Sequence, residues 1–77
     1  MTVQLGRYYH YKNKDREYRV VAVGWYKETM EPVVIYQAQY NTDDLGPKPV
    51  FVRTVTNFTE TVDVDGKTVP RFTYLGP

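Results

Sequence analysis

Thr61-Val62-Asp63-Val64-Asp65-Gly66-Lys67-Thr68-Val69-Pro70 is the stretch that decides the fold class. Two short runs rich in valine and threonine flank Asp65-Gly66, a dipeptide suited to a two-residue type I′ turn because both central positions need positive φ. That turn sets the register. Val64 falls opposite Lys67 and Val62 opposite Val69 as hydrogen-bonded pairs, and Thr61 falls opposite Pro70 as a non-hydrogen-bonded one. Pro70 therefore removes no bond from the ladder and borders an open edge or the strand's end. Arg71-Phe72-Thr73-Tyr74-Leu75 continues past it.

Strand signals recur toward the amino terminus. Residues 50–56 read as a strand, and Asn57-Phe58-Thr59-Glu60 as one helical turn capped by Thr56 or Asn57, with Phe58 plugging the core. Residues 41–49 form the longest loop, stiffened at its exit by Pro47 and Pro49. In residues 33–40 alternation turns Val34, Tyr36, Ala38 and Tyr40 toward the core and Ile35, Gln37 and Gln39 outward. Lys27 to Pro32 turns the chain. Residues 17–26 carry apolar side chains on both faces, the mark of a central strand, and Gly24 is a candidate bulge or bend. Residues 6–12 alternate and lead into the polar turn Asn13-Lys14-Asp15-Arg16. The sum is an all-β fold: a single domain over residues 1–77, a small SH3-like barrel of five to six antiparallel strands with at most one short helical turn.

Composition narrows the chemistry. A chain of 77 residues buries roughly 60–65% of the surface that its unfolded form exposes. It has no cysteine and no serine, which removes disulfides, thiolate metal sites and the commonest nucleophiles, and fits a reducing compartment. The amino terminus lacks the basic and apolar regions of a leader, and no apolar stretch nears the roughly 20 residues of a membrane helix. A cytoplasmic protein with no membrane partner is the expectation. Net charge is +1, yet Arg7, Lys12, Lys14, Arg16 and Arg19 cluster at the first hairpin. Such a basic end suits RNA contact, and equally suits turn charges that keep a small protein soluble.

No metal site and no cofactor are expected: there is one histidine, and Gly66-Lys67-Thr68 lacks the rest of a phosphate loop. The carboxylate pairs Glu28/Glu31, Asp43/Asp44 and Asp63/Asp65 sit at or beside turns, as exposed acids do. His10 reads either as a proton donor or base among tyrosines, or as a strand residue whose ring bonds a neighbouring backbone or carboxylate. Arg53 and Arg71, flanked by apolar residues, read as rim arginines or as partners of Glu28 or Glu60. The eight tyrosines divide in two: Tyr18, Tyr36 and Tyr40 build core, while Tyr8 and Tyr11 flank His10 where a functional face would lie.

Taken in order, Gly6, Tyr8, His10-Tyr11-Lys12, Tyr18, Glu28-Thr29 with Glu31, Val33, Val34 and Tyr36, Val52-Arg53, Phe58 with Glu60, and Asp65-Gly66 with Pro70-Arg71-Phe72 form a pattern spanning nearly the whole chain. In this it resembles a family of short bacterial proteins, the domain-of-unknown-function family 1653. Two departures stand out: Phe51-Val52-Arg53-Thr54 replaces the family's usual Trp-Val-Arg-Pro, and Tyr26-Lys27 stands where a histidine is often found. The resemblance implies a compact β-barrel-like fold and no activity. It also implies a polar set that a core alone would not need, namely Tyr8, His10, Tyr11, Lys12, Glu28, Thr29, Arg53 and Arg71, several of which are expected to converge on one face. The leading expectation is a non-enzymatic binding module for a protein segment, as a monomer or as a weak homodimer through an edge strand. The alternatives are an RNA-binding module, or a small hydrolase using His10 with Glu28 or Glu31.

Overall fold

The computed structural model describes residues 3–77; Met1 and Thr2, the start of the 1–77 domain expected from sequence, lie outside the described residues. Five strands form one antiparallel sheet. They are β1 (Gly6–His10), β2 (Asn13–Tyr26), β3 (Glu31–Ala38), β6 (Val50–Thr54) and β9 (Phe72–Gly76). Their spatial order is β6-β3-β2-β1-β9. Two minor ribbons complete the strands: β4 (Asn41–Thr42) with β5 (Gly46–Pro47), inside the long loop, and β7 (Thr61–Val64) with β8 (Lys67–Pro70). One helix, α1 (Val55–Thr59), follows β6 among the described residues. The domain is all-β, as the strand signals require.

The hairpin that decided the fold has the expected register, with Val64 opposite Lys67, Val62 opposite Val69 and Thr61 opposite Pro70. Asp65 and Gly66 both adopt positive φ, at 52° and 79°. Beyond Pro70 the chain changes sheets. The Arg71 N–H donates to the Glu60 carbonyl, its own carbonyl accepts from the Tyr11 N–H (both 3.0 Å), and Phe72 then opens β9 beside β1.

Three local expectations are corrected. The first turn falls at Tyr11-Lys12, not at Asn13–Arg16, because His10 pairs with Asn13 while Tyr9 pairs with Glu17. Residues 14–16 bulge out of that ladder, extended and exposed. The bulge of β2 lies at Val21, between Val20 and Ala22, whereas Gly24 pairs regularly with Val33. Helix α1 begins two residues earlier than expected, since Thr54 rather than Thr56 or Asn57 is its cap: the Thr54 hydroxyl accepts from the Asn57 N–H at 3.1 Å.

β2 is the middle strand, as its apolar pattern implied, but only one face of it is covered. Val20 is buried while Val21, Val23 and Trp25 are exposed. The core lies on the concave side, where the sheet curls around α1. Phe58 of α1 stacks on Phe72 of β9 with ring centroids 4.2 Å apart and an interplanar angle of 7°. Tyr8 meets Phe58 edge-on at 5.3 Å. This stack ties α1 to the outermost strand β9 by side chains, and burying each such ring contributes roughly 1.5–3 kcal/mol.

Candidate binding site

Strand ends bring five aromatic rings together at one mouth of the curled sheet. Tyr18 of β2, Tyr36 of β3, Phe51 of β6 and Phe72 of β9 line a cavity of about 370 Å³, closed on one side by Tyr40 just beyond β3. The sheet register explains the grouping: Tyr36 lies opposite Val20 on one side and Phe51 on the other, so the rings share the concave face. Tyr18 sits among them, edge-on to Tyr36, Tyr40 and Phe72 at 5.5–5.8 Å.

The hydroxyls are organised. Tyr18 and Tyr40 share a short hydrogen bond, Oη to Oη 2.5 Å. Burial, then that bond and the neighbouring tyrosines, push the Tyr18 phenol well above its ordinary range. Arg53 crosses the cavity from β6. Its Nε donates to Tyr36 Oη at 2.7 Å, its Nη1 donates to Asn57 Oδ1 at 2.6 Å, and its guanidinium lies 5.4 Å from the Phe72 ring centroid. Asn57 is presented for this contact by the same capping bond that starts α1. Arg16 covers Tyr40 from outside, 4.5 Å from its ring centroid.

His10 ends β1 at the rim of the cavity. Its ring packs on Phe72 (5.0 Å, near perpendicular) and on Tyr11 (4.7 Å). The Lys12 backbone N–H donates to Nδ1 at 3.2 Å, so a neutral ring carries its hydrogen on Nε2. Burial, and then the positive charges of Arg53, Lys12 and Arg71, hold His10 below the ordinary histidine range. Lys12, Arg16 and Arg53 all border the cavity, and among the described residues no carboxylate does. The ion pairs among the described residues involve other arginines: Arg7 with Glu17 at 3.5 Å, and Arg71 with Glu60 at 3.6 Å.

Of the residues expected at a site, His10, Lys12 and Arg53 come together here. Arg71 stands close enough to influence His10, but its charge is turned to Glu60, and its Nε is buried without a hydrogen-bond partner. Tyr11 packs on His10 and otherwise lines a separate groove of about 240 Å³ with Tyr9, Val64 and Pro70. Tyr8 shares the concave face, opposite Tyr18, but does not line this cavity. It is buried in the core, and its hydroxyl donates to the Gln4 carbonyl at 2.8 Å. Glu28 and Thr29 lie in the β2–β3 turn, where Glu28 accepts from Tyr26 and Thr29 bonds Glu31. No hydrogen bond or ion pair among the described residues joins His10 to Glu28 or Glu31.

The tyrosines thus exchange roles. Tyr18 and Tyr40, expected as core, are half-buried and line the cavity; Tyr36 is core and cavity wall at once. A signal existed: Tyr18, Tyr36 and Phe72 belong to the same ordered pattern as His10 and Arg53, yet strand alternation alone assigns them inward. Asn13 was legible only as part of a polar turn, and Arg16 only as part of that turn and of the basic cluster around it. Among the described residues no group of three or more His, Asp or Glu side chains comes together to hold a metal ion.

Fold and site define a small β domain with a cationic, aromatic-lined cavity. The chain belongs to the family described as "protein of unknown function (DUF1653)", whose model matches residues 6–74. It is similar over its whole fold to the crystal structure of a DUF1653 protein from Bordetella bronchiseptica, with 34% sequence identity and a TM-score of 0.83. That match covers 96% of this chain and 88% of the Bordetella chain. No curated protein matches. No helix among the described residues is long and apolar enough to cross a membrane.

Proposed function

We propose that this protein is a non-enzymatic binding module that captures a protein segment, with the cavity between Tyr18, Tyr36, Tyr40 and Arg53 as its site. One observation carries the reading: aromatic walls and three cationic side chains meet in one concavity that no carboxylate of the described residues lines. At about 370 Å³ the cavity lies near the lower end of the roughly 300–1,000 Å³ of small-ligand sites, so it admits one residue of a segment rather than a length of chain. The rest of the segment would lie along the rim. With a net charge of +1, little counterion release is available to drive binding of a nucleic-acid backbone, which favours a protein partner.

One feature favours RNA as a second reading. Arg16 over Tyr40, at 4.5 Å, resembles the aromatic and arginine surfaces on which single-stranded bases stack. Titrations of the isotope-labelled domain separate the two. Acidic peptides are expected to shift the amide resonances of residues 10–18, 36–40 and 51–53. Shifts of those resonances by single-stranded RNA alone, with a steep loss at high salt, would replace the protein reading; no response to peptide or RNA would end both.

A further inference from the structure

Resting on the reading above, we infer that the cavity anchors its ligand through one compact oxyanion, a carboxylate or phosphate group, received by Arg53 with Lys12 and Arg16 beside it.

Arg53 is the centre of the argument. It is half-buried, and its two protein partners, the Tyr36 hydroxyl and the Asn57 side-chain carbonyl, are both neutral. A guanidinium has five N–H donors in a rigid fork. Two are used, so the Nη2 pair and the second Nη1 hydrogen have no acceptor among the described residues. Withdrawing a cation from water is costly unless an opposite charge approaches it, and the planar fork matches the two oxygens of a carboxylate or phosphate. The site is also held in place before any ligand arrives. Nε is tied to β3 through Tyr36, and Nη1 to α1 through Asn57, so little side-chain freedom remains to be lost on binding.

The surroundings agree. Tyr36 Oη accepts from Arg53 and keeps its own hydrogen for donation. In the Tyr18–Tyr40 pair one hydroxyl donates to the other, which leaves one hydrogen free. Lys12 and Arg16 add charge of the same sign at the rim. A neutral or cationic ligand would leave three positive charges unanswered, whereas an oxyanion meets charge and hydrogen-bond donors together.

His10 supplies the probe. It is the only histidine of the chain, so its ring C–H resonance titrates alone, and it faces Lys12 from the first turn, Arg53 from β6 and Arg71 from the β8–β9 junction. The test titrates the intact domain with inorganic phosphate, acetate, N-acetyl-aspartate and phosphotyrosine at fixed ionic strength, with chloride as the control. An oxyanion seated at Arg53 is expected to raise the His10 titration midpoint and to shift the Arg53 Nε–H resonance. Arg53→Gln should weaken the effect at least tenfold, and Arg53→Lys should restore part of it. Lys12→Gln and Arg16→Gln, at exposed positions, give the same reading by smaller losses if the Arg53 variants do not fold. The stronger of the phosphate and carboxylate probes names the source of the group. A midpoint that moves with none of the anions, or an Arg53→Gln domain that folds and binds them unchanged, overturns the inference. Acidic peptides that bind equally to Arg53→Gln would overturn it while sparing the protein-segment reading. Small anions that bind where no peptide does would spare the inference and sink that reading.

Discussion

Tyr8 and Tyr36 are alike in residue type and burial, 7% and 4% exposed, and both touch Phe58, at 5.3 and 5.6 Å between ring centroids. They differ in what the hydroxyl meets. Tyr8 donates to the main-chain carbonyl of Gln4, and its phenol, pushed up by burial and by nearby Tyr74, has no further task. Tyr36 accepts from the guanidinium of Arg53 and so fixes a cation at the mouth of the sheet. A buried tyrosine is core when its tip ends on backbone and part of a site when its tip ends on an unneutralised charge. Burial alone does not separate the two cases.

The largest expected effect comes from removing the ring that both regions share. Phe58 is 3% exposed and stacks on Phe72 at 4.2 Å. Phe58→Ala should cost about 3–5 kcal/mol through lost burial and the cavity left behind. A domain of this size has roughly 4–11 kcal/mol in all, so the loss takes from about a quarter to the whole of its stability. Urea denaturation followed by fluorescence measures the loss. If the variant instead kept a shifted, single-site His10 titration while the Tyr8 side melted, the two regions would be independent, and the comparison would rest on a shared core that does not exist.

How much of this was legible in the sequence follows from which interactions are local. The Asp65-Gly66 hairpin, the all-β class and the plug formed by Phe58 depend on turn chemistry and alternation within a few residues, and all three stand in the structure. The turn at Tyr11-Lys12 was not legible, because polar Asn13–Arg16 looks like a loop, and only the pairing of Tyr9 with Glu17 across the hairpin shows that residues 14–16 are a bulge. The site was half legible. Arg53 stands out as a charge in apolar company, and His10 and Lys12 through the ordered pattern that they share with it. Tyr18, Tyr36 and Tyr40 do not, since alternation reports the face of a strand and not whether that face opens into solvent at its end. Glu28 and Thr29 share the ordered pattern with His10 but sit in the β2–β3 turn with partners of their own, a separation that no sequence spacing reveals.

Tyrosine-to-phenylalanine changes sharpen the comparison with little loss of volume. Tyr36→Phe takes from Arg53 a hydrogen bond to a charged donor, worth about 1.5–3 kcal/mol in general and less where water reaches the pair. It should also loosen the guanidinium and weaken any ligand held there. Tyr8→Phe should cost only about 0.5–1.5 kcal/mol, the ordinary value for a neutral bond, and leave the cavity untouched. Chemical denaturation gives the stabilities, and the Arg53 Nε–H resonance reports the site. Equal perturbation of that resonance by both variants would erase the distinction between the two tyrosines.

The smallest effect is the most specific to the cavity side. His10 titrates below the ordinary histidine range because burial comes first and three cations, Arg53, Lys12 and Arg71, add to it. Its folded-state value therefore lies below the roughly 6.5 of an unfolded chain. Neutral His10 contributes fully above pH 6.5, and that contribution is lost as the pH falls through the folded value, since the unfolded state takes up the proton first. Between pH 7.5 and 5 the wild type should lose stability faster than His10→Gln, which cannot take up the proton, and urea midpoints at three pH values measure the difference. A wild type that gained stability relative to His10→Gln on acidification would mean that a carboxylate reaches the imidazolium. The cavity would then hold its own counter-charge, and the contrast between a tyrosine that ends on backbone and one that ends on an unanswered cation would fail at its second term.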